Sequence, residues 1–392
     1  MTAFASLKPF FSRSLAATGG RLHLAAHSHH LWPDASYAGH MAAWQDAAAH
    51  WDAKWARVFD GLMPAARRHI AGRLNLPDPA TIAFAPNTHD FVNRLLSACP
   101  PHSPPRVLTT DGEFHSAARQ FARLAEERLI VLTTVPTRPF ATFPARFAEA
   151  ARGRFDLVFV SQVFFNSGFV VPDMATLVAA VADPDALVAI DGYHGFMALP
   201  TDLAPIAARA FYIAGGYKYA MAGEGVCFMH CPPGVAPAPR DTGWYASFGS
   251  LAAARAGSVA YGPDGSRFMG ATFDPTGLHR LNAVMGWLES IGLGVAEVQA
   301  RAHVLQHAVM DRLAAHGIDG LQHRDLLVPL DAPLRGNFLA FDSPHAPALQ
   351  EKLREAGIVT DVRGTVLRMG FGLYHDLADA PAIAERIVAA MR

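Results

Sequence analysis

Seven short apolar runs between residues 81 and 230 restrict the fold of this chain more than any other feature. They are rich in β-branched and aromatic residues, and helix-like stretches separate them. Such runs are typical of strands buried on both faces, and their alternation with helices favours a largely parallel sheet with crossover connections. The predicted strands are TIAFA (81–85), RVLTT (106–110), LIVLTTV (129–135), DLVFVSQV (156–163), ALVAID (186–191), AFYIAGG (210–216) and GVCFMH (225–230).

The sequence after these runs indicates a second, smaller folding unit. Residues 278–315 have the spacing of long helices, and residues 321–375 hold shorter strand candidates around the helical run PALQEKLREAG. At about 100–200 residues per domain, the chain suits one large and one small domain. We predict an α/β fold with a large domain over residues 45–275 and a smaller α+β domain built from residues 1–44 and 276–392.

The charge and hydropathy of the chain favour a small-molecule ligand. A formal net charge of −1 and a pI near 7.0 provide no basic surface for nucleic acid or anionic lipid. Apolar residues make up 51% of the chain, yet no run of about 18 uncharged apolar residues would span a bilayer. The apolar excess therefore indicates a large core or a subunit interface, and we expect binding to neither nucleic acid nor membrane.

The cysteines and the N-terminus predict a cytoplasmic protein. Cys99, Cys227 and Cys231 are an odd number for a disulfide framework, and the C-x-x-x-C pair lacks a second pair to complete a metal site. The sequence MTAFASLKPFFSRSLAATGG lacks the basic start and unbroken apolar stretch of a secretory signal.

One lysine stands out by its surroundings. Of 33 basic residues only four are lysines, which leaves 29 arginines. Lys218 follows the predicted strand AFYIAGG and lies between Tyr217 and Tyr219, with glycines on both sides. Burial there would lower the pKa of the ammonium and make the neutral amine a nucleophile for carbonyl carbon, as in Schiff-base lysines. A partly exposed lysine at a strand end is the alternative.

A carboxylate precedes Lys218 by one strand. Asp191 ends the predicted strand ALVAID, where ligands of open α/β sheets bind. An aspartate there can keep the pyridine nitrogen of pyridoxal 5′-phosphate (PLP) protonated, and His194 reaches the same ring if the chain turns at Gly192. A predicted short crossover helix (TDLAPIAARA) and one strand place Asp191 and Lys218 at the same edge of the sheet. A simple Asp-Gly turn is the alternative.

The turn after the first predicted strand suits an anion. Pro86, Asn87 and Thr88 follow TIAFA and open the helical run HDFVNRLLSA, with Asn87 or Thr88 as the N-cap. A helix N-terminus presents free N–H groups and the positive end of its dipole to a phosphate. The signal is unspecific, because many such turns bind no anion.

Taken together, seven motifs resemble the class V, fold-type I PLP-dependent enzymes, and among these the kynureninases. The similarity extends over roughly residues 20–375, and the motifs are APNTHDFVNRLLS, DGEFHSAARQF, IDGYHG, GGYKYAMAGEG, TGWYASF, GATFDPTG and VRGTVLRMGFGLYH. The resemblance implies PLP as the cofactor, an amino acid as the substrate, and a homodimer with its active site at the subunit interface.

The resemblance also implies roles for individual residues. Asn87, Thr88 and Tyr217 would bind the phosphate, Trp244 would lie near it, and Thr272 would reach the phosphate of the other subunit. Phe114 would stack on the ring, with His194 beside it, Asp191 at the pyridine nitrogen and Lys218 carrying the cofactor. Arg368 would bind the α-carboxylate, and His27 and Ser28 would contact the substrate. Lys218, Asp191 and Tyr217 are the predicted catalytic residues, with Tyr217 as an acid that polarises the γ-carbonyl.

Arg368 also has a physical argument of its own. Its neighbours Leu367 and Met369 are apolar, so a buried guanidinium there needs an anion, and its planar fork suits a carboxylate. The anion would be the substrate, or alternatively Asp361 or Glu355 in a structural salt bridge.

Three segments differ from the kynureninase pattern. His115-Ser116-Ala117 follow Phe114 where the pattern has an Asp, His27-Ser28-His29-His30 replace Asn-Ser-Leu-Gly, and Gly223-Glu224-Gly225 replace Gly-Pro-Gly. The first two differences lie near the predicted substrate or cofactor, so the sequence leaves the substrate open.

The predicted reaction is that of a kynureninase-like hydrolase, which cleaves the Cβ–Cγ bond of kynurenine or a related amino acid. A class V aminotransferase, lyase or epimerase is the alternative. A cysteine desulfurase is disfavoured, since that reaction needs a nucleophilic Cys in a later loop and none follows Cys231. A metal-binding protein, another class, would use His23, His27, His29, His30 and Asp34.

Overall fold

A seven-stranded sheet lies at the centre of the computed structural model, which describes residues 4–101, 103–247 and 259–392. The strands of the described residues are β1 (Leu22–His23), β2 (Ile82–Ala85), β3 (Arg106–Thr110), β4 (Val131–Val135), β5 (Leu157–Ser161), β6 (Leu187–Asp191), β7 (Ala210–Gly215), β8 (Cys227–His230), β9 (Phe338–Asp342), β10 (Ile358–Val359), β11 (Asp361–Arg363) and β12 (Val366–Gly370). Strands β2 to β8 form the large sheet and correspond to the seven predicted runs, which confirms that prediction.

The strand order of the large sheet brings three carboxyl ends together. The order is β2-β8-β7-β6-β5-β3-β4, and only β8 runs antiparallel to its neighbours β2 and β7. The expectation of a mostly parallel sheet is therefore confirmed. Asp191 pairs in register with Ser161 of β5 and with Ile213 of β7, so the ends of these three strands meet at one edge.

α-Helices are the other main type of secondary structure in the described residues. They are α1 (Ser12–Ala17), α2 (Asp34–His50), α3 (Lys54–Arg57), α4 (Met63–Leu74), α5 (Thr88–Ala98), α6 (His115–Glu126), α7 (Phe143–Ala150), α8 (Met174–Ala179), α9 (Thr276–Ser290), α10 (Val295–Ala314), α11 (Ala346–Glu355) and α12 (Ala380–Met391). None of these helices is long and apolar enough to cross a membrane.

The connection between β6 and β7 differs from the prediction. The sequence TDLAPIAARA predicts a crossover helix, but only the 3-10 turn Ala204–Ile206 forms there. Pro205 lies in this turn, and proline removes a backbone donor and disfavours helical backbone at the preceding residue. The chain does turn at Gly192 as expected, because the N–H groups of Gly195 and Phe196 both donate to its carbonyl.

The remaining strands of the described residues form two smaller sheets. Strands β11, β12 and β9 pair antiparallel, while β10 pairs in parallel with β1 of the N-terminal segment. Within the small sheet, Asp361 of β11 lies opposite Arg368 of β12.

The buried apolar side chains form two main clusters. One surrounds the large sheet, and the other lies among β9, β12, α10, α11 and α12. Leu281 and Met285 of α9 belong to the first cluster, although the sequence assigns α9 to the small domain. The domain boundaries at residues 44/45 and 275/276 stay a prediction.

Candidate active site

Lys218 is buried among aromatic rings just after β7. It is 5% exposed, and its Nζ lies 4.6 Å from the ring centre of Tyr193 and 5.7 Å from those of Phe114 and Tyr217. Burial lowers the pKa of the ammonium to about 7, although the Asp191 carboxylate opposes this shift. A large fraction of the amine is therefore neutral near pH 7, as a nucleophile for carbonyl carbon requires.

Asp191 lies at the same edge of the sheet as Lys218. It ends β6, and its Oδ1 accepts a hydrogen bond of 2.9 Å from the N–H of Tyr193. Burial raises the pKa of Asp191, whereas this hydrogen bond and the charge of Lys218 lower it. The carboxylate thus has a positive neighbour across one strand, as the sequence predicts.

A second buried carboxyl group, which the sequence analysis missed, lies beside Asp191. Glu113 accepts hydrogen bonds from Thr110 Oγ1 (2.6 Å) and Ser161 Oγ (2.5 Å), and these hydroxyls end β3 and β5. Burial raises the pKa of Glu113 to about 8, and the charge of Asp191 adds to the shift. Glu113 is therefore mostly protonated at neutral pH and places little negative charge beside Asp191. The sequence signal that could have identified Glu113 is its position directly before Phe114, the residue predicted to stack on the ring.

A cavity of about 720 Å³ opens beside this cluster. Phe114 at the start of α6 and the rings of Tyr193 and Tyr217 line it, together with Asn87 and Thr88 at the start of α5. Its lining thus joins the aromatic surroundings of Lys218 to a helix N-terminus.

The start of α5 has the predicted capped geometry. Asn87 is the N-cap, and its Oδ1 accepts a hydrogen bond of 2.9 Å from the N–H of Asp90. The first turn of a helix holds N–H groups that the helix itself does not use, so this turn suits a phosphate.

The hydroxyl of Tyr217 stays protonated. Burial raises its pKa to about 12, so the group is a hydrogen-bond donor at physiological pH. The Tyr217 ring stacks on His29, with ring centres 4.8 Å apart, and lies 4.7 Å from that of Tyr193. Tyr193, which sequence reasoning did not single out, also contacts Cys227 Sγ through its hydroxyl at 3.6 Å.

Two buried histidines lie against Phe338. The ring of His27 is 4.6 Å from that of Phe338, and the ring of His194 is 5.4 Å away. Burial holds the pKa of both histidines well below the usual value, so both are neutral. Within the described part of the chain, neither ring nitrogen of His27 has a hydrogen-bond partner, although its Nε2 lies 3.9 Å from Asp361 Oδ2. His27 therefore keeps unused hydrogen-bonding capacity next to this carboxylate.

Arg368 is 2% exposed and already has an anionic neighbour. Its Nη2 forms an ion pair with Asp361 and its Nη1 donates to the carbonyl of Phe165, whereas its buried Nε has no partner among the described residues. The structural salt bridge is therefore present, with Asp361 rather than Glu355. Because Asp361 also pairs with Arg363, two guanidinium groups share one carboxylate and a net positive charge remains.

Trp244 and Thr272 lie outside the cavity lining. Trp244 is 43% exposed, and its Nε1 donates to Thr272 Oγ1 at 3.3 Å. Neither residue is among those that line the cavity beside Tyr217 in the single chain. Their expected contacts with phosphate, across a subunit interface for Thr272, stay predictions.

The histidine side chains of residues 23–30 do not surround a common metal-sized site. Ser28 Oγ lies 3.3 Å from His29 Nδ1. His27 contacts Phe338 and His29 contacts Tyr217, whereas His23 and His30 both contact Tyr374. Over residues 4–101, 103–247 and 259–392, no group of three or more His, Cys, Asp or Glu side chains could hold a metal ion. The metal-binding alternative receives no support.

The cysteines are unsuited to nucleophilic chemistry. Cys99, Cys227 and Cys231 are the chain's three cysteines, and all are buried. Burial raises each thiol pKa to about 12, so the thiolate is scarce at neutral pH.

Comparison with known proteins identifies the family. A family model described as aminotransferase class V matches residues 46–366, which is most of the chain. The protein belongs to the class V aminotransferase family. Its cofactor is PLP, and the predicted relationship to class V, fold-type I enzymes is confirmed.

Two curated relatives of this class V protein are isopenicillin N epimerases. The enzyme from Streptomyces clavuligerus is 28% identical over 358 residues, which cover 84% of this chain and 85% of the relative. The enzyme from Amycolatopsis lactamdurans is 29% identical over 182 residues, which cover 44% and 45%.

Solved class V structures share the fold. A cysteine desulfurase from Thermococcus onnurineus NA1 has a TM-score of 0.77 and 16% identity, covering 100% of this chain and 99% of that one. The cystine C-S lyase C-DES, in complex with its product cysteine persulfide, has a TM-score of 0.75 and 19% identity, covering 95% and 98%. At these identities the likeness shows the fold alone, and it confirms the predicted fold type.

The residues around Lys218 fit PLP. The site combines a buried amine with a pKa of about 7, a carboxyl group one strand away, and a cavity whose lining includes the rings around Lys218 and a capped helix N-terminus. These are the groups that an aldehyde, a pyridine nitrogen and a phosphate need.

Proposed function

We propose that this class V protein moves a proton at the α-carbon of an amino acid, and that its overall reaction is an epimerisation. The observation that carries the proposal is the buried Lys218 with a pKa of about 7, one strand from Asp191. Two epimerases among the relatives support the choice of reaction, and one of them aligns over most of both chains.

Each part of the cofactor has a proposed partner among the described residues. Asn87, Thr88 and Tyr217 would hold the phosphate, Phe114 and His194 the ring, Asp191 the pyridine nitrogen and Lys218 the aldehyde carbon. Trp244 would lie near the phosphate, and Thr272 would reach the phosphate of the other subunit. When bound, PLP supplies an electron sink that stabilises negative charge on the α-carbon.

Lys218 Nζ is the proposed proton carrier. A group with a pKa of about 7 both accepts and returns a proton near neutral pH, which is the condition for efficient general acid–base catalysis. The aromatic rings around Nζ limit its contact with water, and this desolvation keeps the pKa of the amine low enough for both steps.

Arg368 and His27 are the proposed ligands of the substrate's α-carboxylate, with Ser28 beside them. The Nε of Arg368 and both ring nitrogens of His27 are buried without partners in the described chain, and Asp361 lies between the two side chains. A carboxylate would accept hydrogen bonds from Arg368 Nε and from the single N–H of the neutral His27 ring, and it would balance the net positive charge that Arg363 and Arg368 leave.

The kynureninase-like hydrolase is a second candidate. It is favoured by one observation, the protonated Tyr217 hydroxyl, which would donate to a γ-carbonyl if its ring stays close to Lys218. The relatives described above favour the epimerase. The buried thiols disfavour a desulfurase.

The test of the reaction separates the two candidates. The PLP-loaded protein would be incubated with L-amino acids, kynurenine included, in deuterated water. The epimerase proposal expects deuterium at the α-carbon and the D-enantiomer on chiral chromatography, both lost in Lys218→Ala and retained in the exposed control Lys352→Ala. Alanine and anthranilate from kynurenine would establish the hydrolase instead. Substrate turnover without α-deuteration would overturn both.

A homodimer is part of the proposal. Tyr37, Met41 and Trp44 follow one another at helical spacing on α2, and all three are exposed, as is Trp51 just beyond the helix. An apolar stripe of this kind usually meets another protein surface. Size-exclusion chromatography with light scattering should give a dimer for the native protein and a monomer for Trp44→Glu; a native monomer would exclude a shared active site.

A further inference from the structure

Arg335 is a buried guanidinium without an acidic partner. It is 4% exposed, and burial lowers its pKa to about 10. In the described ranges 4–101, 103–247 and 259–392, no Asp or Glu forms an ion pair with it, and the short stretches outside these ranges contain neither residue type. An uncompensated charge is costly to bury, so buried arginines normally have an anion beside them.

The hydrogen bonding around Arg335 is also incomplete. Its Nη1 donates to Oε1 of Gln306 on α10, but its Nη2 and the Gln306 amide nitrogen are buried without partners among the described residues. His303 lies one turn earlier on α10, and burial lowers its pKa to about 4, so it adds no charge at neutral pH. Two N–H groups without acceptors call for an acceptor-bearing, anionic ligand and not a cation.

Arg335 lines a cavity of about 410 Å³, the Arg335 cavity. Its walls are mainly apolar and include Met174, Ala175 and Leu334, and Gln162 and Tyr212 are among the neutral polar residues that line it. Small-molecule sites commonly have volumes of about 300–1,000 Å³ and combine apolar walls with few polar groups.

Two carboxylates line the same cavity and restrict the ligand's charge. Asp173 caps α8 and accepts hydrogen bonds from the N–H and hydroxyl of Thr176, and Asp202 accepts one from Asn75 Nδ2. These acids are engaged locally and do not neutralise Arg335. Their negative charge disfavours a dianion, whereas a single carboxylate at the guanidinium is tolerated.

We propose that the Arg335 cavity binds a small organic monocarboxylate with an apolar body. Its carboxylate would accept from Arg335 Nη2, and its apolar part would lie against the aliphatic walls. The site is distinct from the candidate active site, because none of the residues proposed to hold PLP or substrate lines it.

The Arg335 cavity nevertheless adjoins the back of the candidate active site. Gln162 lines the cavity, and its backbone N–H donates to the backbone carbonyl of Asp191 at 2.8 Å. Arg335 lies three residues before Phe338, whose ring contacts His27. A ligand in this cavity would therefore contact the chain segments that carry parts of the active site.

Equilibrium dialysis of 4-bromobenzoate against the PLP-loaded protein tests the proposal. The native protein should bind one molecule per chain, and Arg335→Met should weaken binding at least about tenfold, since it removes the charge and keeps the length. Ala175→Trp should weaken binding as well, because it fills the cavity from the α8 side and leaves Arg335 in place. Arg324→Met, at an exposed arginine, should bind like the native protein.

The same measurements can overturn the proposal. The proposal is wrong if 4-bromobenzoate binds equally to the native protein, Arg335→Met and Ala175→Trp. It is also wrong if binding depends on Arg368 instead of Arg335. If Arg335→Met fails to fold, Ala175→Trp and an anomalous-diffraction map decide. A bromine peak in the Arg335 cavity together with binding in solution supports the site. A peak without binding in solution would show an adventitious additive only and would reject the site.

Discussion

Asp361 lies directly opposite Arg368 in the β11–β12 pair, and its carboxylate binds the guanidinium groups of both Arg368 and Arg363. The same carboxylate lies 3.9 Å from the ring of His27. One acidic side chain thus contacts both proposed ligands of the substrate's carboxylate, Arg368 and His27, as well as the half-exposed Arg363.

Asp361→Asn should lower the stability of the protein. Removal of one partner from a buried ion pair leaves the other charge uncompensated, so we expect the free energy of unfolding to fall by about 3 kcal/mol in urea denaturation. Arg363 is 40% exposed on its side chain, so Arg363→Met should cost no more than about 1 kcal/mol. Equal losses for the two variants would show that the Asp361–Arg368 pair is not the stabilising contact.

Arg368→Met should weaken binding of amino acids selectively. The loss of a charge-assisted contact to the α-carboxylate is expected to raise KM roughly 10–100-fold. An amine of the same shape without the carboxylate should bind equally to both proteins. Steady-state kinetics and competition by the amine measure the two effects, with Arg363→Met as the control. An unchanged KM would remove Arg368 from the substrate site.

The rate of PLP capture by the apoprotein should follow the ionisation of Lys218. Its pKa of about 7 means that the neutral, nucleophilic fraction grows as the pH rises through 7. We expect the visible absorption band of the bound cofactor to form faster from pH 6 to 8 and at a constant rate above that. Asp191→Asn removes a charge that raises this pKa, so its profile should shift to lower pH. A profile centred near the ordinary lysine pKa would contradict the buried position.

Glu113 should make stability depend on pH. Its pKa of about 8 in the folded protein exceeds that of an unfolded glutamate, about 4.3, so its contribution is present at low pH and lost as the pH rises through 8. The loss is at most about 1.4 kcal/mol per pH unit. Glu113→Gln cannot ionise, so its unfolding free energy should fall less between pH 5 and 8 than that of the native protein. Parallel profiles would mean that Glu113 is already ionised; exposed Glu126→Gln is the control.

The large sheet is visible in the sequence because strands buried on both faces leave uninterrupted apolar runs. Lys218, Asp191 and Asn87 were predictable for a related reason, since each follows such a strand and the carboxyl ends of parallel strands converge. The β6–β7 connection was not predictable in this way, because TDLAPIAARA has a helical composition and only Pro205 argues against a helix.

Other parts of the site depend on contacts between distant residues, which a sequence pattern does not contain. The contacts of Asp361 with His27 and Arg368 require the turn after β1 to meet the β11–β12 pair, and the burial of Arg335 depends on α10. Glu113 resembles any acid in a turn until Thr110 and Ser161 are brought together by the sheet.

The distance along the chain between His27 and Arg368 has a consequence for synthesis in the cell. The two residues flank one carboxylate but are more than 300 residues apart. At about 5–20 residues per second, roughly 15–70 s separate their emergence from the ribosome. During that time the β1 segment has no β10 to pair with. The proposed pocket for the substrate's carboxylate is therefore completed only after the β12 segment has been translated, and a nascent chain lacks this pocket until then.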